Sequence, residues 1–471
     1  MKQYNLLFWF ALLGFAFWWI IPLGTYGLFD DGVWYGCISR NWAFSNDTNW
    51  WHLIVSPTLD PQFNGHPPLA FWMEGLLFMI LGEYFWIEHV YSILMAVISA
   101  WAIYHIWHKV YSNRKDVIIK AESGYLPIVM WLMMPIVGWS YGNNMLENTL
   151  CALTLWATYF LIPNSKKHSE WIDISLGAIL IFLATLTKGP VGLYPLVIIG
   201  FHWLIFRHEN FNKALIKTVF VILILILAYS VLVYISPNAK AYLSHYVDLQ
   251  LYRSIAGENA VTSRFLVIEK MILEPAIALS VLIVGWVIIR LKRVDVNEPY
   301  KKAAYFFFLI AVSIAIPLLI SPKQMPWYSV PAMPFMSLAF AVLFLPIWSH
   351  ISPYISSKKW IAYSAKTLIL IAFLIMFFRW GSFGRNQEML SDVFRINQIV
   401  PPHDTIGIHN EVYKRWNLHG YLYRFGHVNL FTASMSYKHW LLLPGEPKYF
   451  DTSAYNRIDL TGYILYSQKQ N

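Results

Sequence analysis

LLFWFALLGFAFWWIIPLGTYGLFDDGVWYGCISRN, residues 6–41, sets an apolar run directly against two adjacent carboxylates, Asp30 and Asp31. A helix crosses the hydrocarbon core with about 20 apolar residues, so the run reads as a first span. It lacks the small-residue cleavage pattern of a removable leader. The aspartates then stand where the chain leaves the bilayer, a position that costs free energy unless the charge meets water, a partner or a cavity. Helix capping by Asp31, ahead of GVWYGCISRNWAF, would explain one of them. It leaves the other unexplained.

Composition extends the membrane reading to the whole chain. Of 471 residues, 57% are hydrophobic, 18% aromatic and only 13% charged, which a soluble domain of this length does not show. The net charge of +9 is carried by Lys and Arg clustered in short loops between apolar runs, a topology pattern and not a nucleic-acid surface. Cys37 and Cys151 are too few for a disulfide framework and lack zinc-ligand spacing. No P-loop, Gly-rich dinucleotide fingerprint or HExxH is present, which argues against nucleotide chemistry.

Apolar runs near 5–24, 88–109, 124–141, 148–163, 172–187, 190–206, 217–236, 273–291, 303–320, 328–347 and 360–378 predict about eleven spans. LAFWMEGLLFMIL, residues 69–81, is too short to cross and contains Glu74, so it is expected to lie in the interface. Excess Lys and Arg in alternate connections, such as Lys213 and Lys217 or Lys358 and Lys359, place the N-terminus in the cytoplasm. Three segments then face outward: a first loop at 25–87, a second at 237–272 and a tail at 380–471. The fold class expected is a mainly α, polytopic membrane protein. It comprises a membrane domain, 1–379, with interfacial helices in its first outer loop, and a small C-terminal α/β extracytoplasmic domain, 380–471.

Chemistry-bearing residues gather on the outer side. His66 opens the interfacial segment in HPPLAFW, behind two stiffening prolines. Glu147 and two asparagines lie in YGNNMLENTL, where capping is the simpler reading. Lys188, in LATLTKGPVGLYP, ends an apolar run before Gly189-Pro190 reverses the chain, and a lysine there calls for an anionic partner or ligand. Arg253, in the second outer loop, is an anion-contact candidate, and Lys323 and Tyr328 lie in SPKQMPWYSVPAMPF. A cationic rim of His66, Lys188, Arg253 and Lys323 facing Asp30 and Asp31 would suit a lipid phosphate with its tail between helices. A carboxylate beside it would suit deprotonation of an incoming nucleophile.

In this order the motifs DDGVWYGCISRN, HPPLAFW, NNMLENTL, LATLTKGPVGLYP and KQMPWYSVPAMPF resemble the membrane glycosyltransferases of the protein O-mannosyltransferase and aminoarabinose transferase superfamily, over about residues 5–345. The resemblance implies a C-type glycosyltransferase fold, a polyprenyl-phosphate-linked sugar as donor, and a lipid, glycan or protein acceptor. Asp31, Tyr35, Ile38, Ser39, Arg40 and Asn41 match the first-loop motif, so Asp31 takes the acid/base position and Asp30 is an extra neighbour. Gly32 stands where the family often has Glu. His66 and Lys188 match positions that imply contact with the lipid phosphate, and Glu147 replaces a more frequent Asp. A divalent cation near the acids is found in some relatives and is left open here. The expected location is the cytoplasmic (inner) membrane, with the tail periplasmic. The rival class is a polytopic transporter, for which substrate groups at the bilayer midplane and two related halves would be expected.

Overall fold

The structure is a computed structural model that describes residues 5–112, 121–163, 170–252, 263, 265–296, 300–319, 324–432, 439–446 and 451–469. The opening run is helical throughout: α1 (Leu6–Phe15), a wider π-helical turn and α2 (Ile21–Leu23). β1 (Thr25–Tyr26), α3 (Asp30–Phe44) and α4 (Leu69–Leu81) follow in the first loop. The bundle continues through α5 (Ile87–Ser112), α6 (Tyr125–Leu132), α7 (Pro135–Gly142), α8 (Leu146–Leu161) and α9 (Glu170–Lys188). A 3-10 stretch (Gly189–Leu196) then leads to α10 (Val197–Phe206), α11 (Phe211–Ile235) and α12 (Pro237–Tyr246). After α13 (Leu266–Leu273), α14 (Ala276–Leu291) and α15 (Lys301–Leu318), a second 3-10 turn (Pro326–Ala332) enters α16 (Met333–Ser357) and α17 (Lys359–Phe378).

Among the described residues, seven helices are long and apolar enough to cross a membrane, or eight if α13 and α14, bent by 41°, make one span. The expected run at 124–141 is two helices, because Pro135 cannot donate to the preceding turn and starts α7 afresh. Residues 170–206 are continuously helical, yet the chain does reverse at Gly189. Gly192 lies against the backbone of Ala184 and Thr185. Lys217, near the start of α11, pairs with both Glu170 at the start of α9 and Glu209 just after α10. At 19 residues α9 is about 28 Å long, close to the thickness of the hydrocarbon core. The most apolar 18 residues within 326–357 are 89% buried and form the bundle's centre, whereas those of α11, only 11% buried, turn their side chains outward as a lipid-facing helix does.

The C-terminal part contains β2 (Ser382–Phe383), α18 (Gln387–Ile399), β3 (Thr405–Ile408), α19 (Asn410–Tyr413), α20 (Trp416–Gly426), β4 (Asn429–Phe431), β5 (Trp440–Leu443), β6 (Tyr455–Asp459) and β7 (Ile464–Gln468). Its five-stranded mixed sheet has the order β4-β3-β5-β7-β6. Leu390, Val393, Ile406 and Leu418 of this part share an apolar core with Leu28, Val33 and Cys37 of the first loop. A parallel ladder pairs Thr25 with Ser382 and Tyr26 with Phe383. The sheet is therefore built onto α3, the helix that carries the two aspartates. Both cysteines are free and buried.

Candidate active site

α3 begins at Asp30 with Phe29 as its N-cap, and the Phe29 amide donates to Asn143 Oδ1 at 2.8 Å. Neither aspartate caps the helix. Both occupy its first turn, where carboxylates complement the exposed amides. They point to different surroundings because successive residues on a helix are turned by about 100°.

Asp30 faces the C-terminal part. Burial raises its carboxyl above the ordinary range, and Arg385 partly offsets that. Asp31 lies one helical turn before Tyr35, on the same face. Tyr35 is buried, and its hydroxyl is held well above the usual phenol range by burial, with Asp31, Glu147 and Tyr328 adding to the shift. Side chains from α3, α8 and the 3-10 turn before α16 thus lie within electrostatic reach of the Tyr35 hydroxyl.

Lys188 joins them from the end of α9. Its ammonium forms an ion pair with Glu147 Oε1 and sits 4.7 Å from the centre of the Tyr328 ring. Both charged groups are buried, at 9% and 1% exposure, and each would be costly there without the other. Glu147 Oε2 has no hydrogen-bond partner among the described residues. The next residue, Gly189, has φ of +66°, and a Cβ there would lie 2.1 Å from the Tyr246 hydroxyl. Glycine at that position lets Tyr246 close over the backbone beside Lys188. His66 meets Tyr35 edge-on, with ring centroids 5.9 Å apart, and its carbonyl accepts a 2.7 Å hydrogen bond from the Tyr242 hydroxyl.

The structure thus gathers Asp31, Tyr35, His66, Glu147, Lys188 and Tyr328. It does not bring Arg40 to them. Nine residues beyond Asp31, Arg40 is on the opposite face of α3, where Nη1 donates to the carbonyls of Tyr423 and Arg424 at 3.0 and 3.1 Å. Arg253 and Lys323 lie outside the described residues. Gly32 also has a local reason: a Cβ would lie 2.0 Å from the Asn143 carbonyl oxygen, so the glutamate common in the family would not fit. Tyr242 and Tyr246 were not singled out by sequence; only the glycine after Lys188 hinted that something packs there. Among the described residues no group of three or more His, Cys, Asp or Glu side chains is placed to hold a metal ion. A larger groove of about 610 Å³ lies between α14 and α16 and shares no residue with this cluster.

Glu74, on the short apolar helix α4, is 2% exposed. Ser39 Oγ donates to Oε2 at 2.6 Å and Asn144 Nδ2 donates to Oε1 at 2.7 Å. Burial, with Glu88 nearby, pushes its carboxyl up to about 8. Because this folded value lies above that of the unfolded chain, the native state binds the extra proton and loses stability as pH rises from about 4.5 to 8. Glu74→Gln is expected to flatten that slope in thermal melts at pH 5, 6.5 and 8, with its largest gain at pH 8.

These elements coincide with solved structures. ArnT from Cupriavidus metallidurans bound to undecaprenyl phosphate superposes with a TM-score of 0.68 over 97% of both chains, at 14% identity. The chain has the fold of this ArnT. The apo form of the same ArnT gives 0.66 over 97% of both chains, at 13% identity. The archaeal oligosaccharyltransferase AglB from Archaeoglobus fulgidus in complex with an inhibitory peptide and a dolichol-phosphate gives a TM-score of 0.50 over 99% of this chain and 74% of its own, at 10% identity. Residues 65–234 match the dolichyl-phosphate-mannose-protein mannosyltransferase family, a stretch that includes His66, Glu147 and Lys188. No curated protein sequence matches the chain.

Proposed function

We propose that the protein is a glycosyltransferase that moves a sugar from a polyprenyl-phosphate donor to a lipid, glycan or protein acceptor at the outer face of the cytoplasmic membrane. The observation that supports this reading is that Asp31 and the buried Glu147–Lys188 pair both lie within electrostatic reach of Tyr35, at the end of α9 remote from Lys213 and Lys217. A cation held by one carboxylate and the face of a phenol ring, in an apolar bundle, is available to a lipid phosphate that offers a better anion. The Lys and Arg distribution supports a cytoplasmic Lys213 end and an outer Asp31 end.

In the reaction, Asp31 accepts the proton of the acceptor nucleophile, whose electron pair attacks the sugar C1 from the face opposite the phosphate. The bond from C1 to the phosphate oxygen breaks, its electrons stay on that oxygen, and the Lys188 ammonium stabilises the charge. His66 and Arg253 are proposed to assist at the phosphate. A single displacement inverts C1. Tyr35 and Tyr328, both largely buried, exclude water and fix the two charged centres relative to each other.

The test is transfer from an undecaprenyl-phosphate sugar to extracted cell-envelope acceptors by the purified protein. Lys188→Ala is expected to weaken undecaprenyl-phosphate binding by about 10- to 100-fold, the worth of a charge-assisted hydrogen bond. Because that variant strands Glu147, the neutral pair Lys188→Met with Glu147→Gln is the control for folding. Wild-type affinity in both variants would remove Lys188 from the site.

A further inference from the structure

A second pocket adjoins the cluster. It encloses about 170 Å³ between the first loop and α12 and is lined in part by Trp51, Gln62, Asn64, Asn238 and Tyr242. None of its lining residues is Asp, Glu, Lys or Arg. His52 and His245 also line it, and His52 is matched, facing Asp47 at 2.7 Å and the Pro61 carbonyl at 3.3 Å. A lining without carboxylate, lysine or arginine side chains does not suit a phosphate or an amine. Amide side chains offer donors and acceptors together, the set that vicinal hydroxyls need, and Trp51 supplies an aromatic surface for the apolar face of a ring. Trp51 is itself held against Tyr242 and Trp72, with ring centroids 5.6 and 5.1 Å apart.

The pocket shares a wall with the candidate active site. Tyr242 lines it and donates to the carbonyl of His66, and Asn64 lies two residues before His66. Asn64 Nδ2 donates to the Gln62 carbonyl at 2.9 Å, which fixes the loop that forms both surfaces. We propose that this pocket is a subsite for one neutral sugar ring, held next to the reacting centre. Calling that ring part of a substrate rests on the transferase reading; the binding itself does not.

The test is saturation-transfer NMR on the full-length protein in detergent, with methyl glucoside, methyl N-acetylglucosaminide and the cationic sugar glucosamine as probes. A neutral glycoside is expected to bind the wild type and to outcompete glucosamine. Gln62→Ala with Asn238→Ala, both at exposed positions, is expected to weaken it at least about 5-fold through two lost hydrogen bonds, and Ala241→Trp, which fills the pocket, to abolish it. Undecaprenyl-phosphate affinity, measured on the same samples, should not change and so reports that the variants are folded. Parallel titration with an undecaprenyl-phosphate sugar assigns the ring. Selective weakening of the lipid-linked sugar makes it the donor's, and an effect on the free glycoside alone makes it the acceptor's. Absence of neutral-glycoside binding to the wild type, or unchanged binding to Ala241→Trp, overturns the proposal. A wild type that binds glycoside but not undecaprenyl phosphate would sink the transferase reading and leave this one standing.

Discussion

Asp31→Asn is expected to lower sugar transfer by about 10²- to 10⁴-fold, the usual worth of a positioned general base, while undecaprenyl-phosphate affinity stays at the wild-type level. The amide keeps the size and hydrogen bonding of the side chain but cannot take a proton from the acceptor. Asp30→Asn supplies the contrast. That carboxyl faces Arg385, on the C-terminal side, and its loss should alter transfer far less. Single-turnover transfer rates beside equilibrium donor binding separate the two effects. If Asp30→Asn abolished transfer and Asp31→Asn did not, the assignment would be reversed.

Arg424→Ala should cost about 3–5 kcal/mol of stability, as removing one partner of a buried ion pair does. Arg424 on α20 reaches Glu88 on α5 through Nε at 2.6 Å and Nη2 at 3.2 Å, and both side chains are 2% exposed. Nη2 also donates to the Tyr84 carbonyl at 2.9 Å, and the guanidinium lies 4.8 Å from the centre of the Phe78 ring. This single side chain therefore clamps the C-terminal part to α4, α5 and the turn between them. Replacing both members, by Glu88→Gln with Arg424→Met, should restore much of the loss because no charge is left stranded. Hydrogen exchange would show the effect as lost protection in the sheet from β3 to β7. Unchanged protection in Arg424→Ala would mean that the apolar core shared with α3 suffices.

The membrane bundle and the convergence on Asp31 were legible because both rest on local rules: apolar length, charge at a boundary, glycine and proline after Lys188. Partnership was not. That Lys188 calls for an anion is visible in the sequence, but its pairing with Glu147, 41 residues earlier, depends on how α8 and α9 pack. Helical phase could have separated Arg40 from Asp31, since nine residues amount to half a turn beyond two full ones. The break at Pro135 was readable too, and an uninterrupted apolar stretch masked it. Tyr242 and Tyr246 were hidden for another reason. Their roles come from tertiary contacts with His66 and Gly189 that no spacing announces.

The most direct measurement is a structure of the protein with undecaprenyl phosphate bound. A phosphate oxygen is expected within about 2.7–3.2 Å of Lys188 Nζ, with the Asp31 carboxylate facing the phosphate across room for one sugar ring. A phosphate bound at the opposite end of α9, beside Lys213 and Lys217, would contradict the assignment of the active centre.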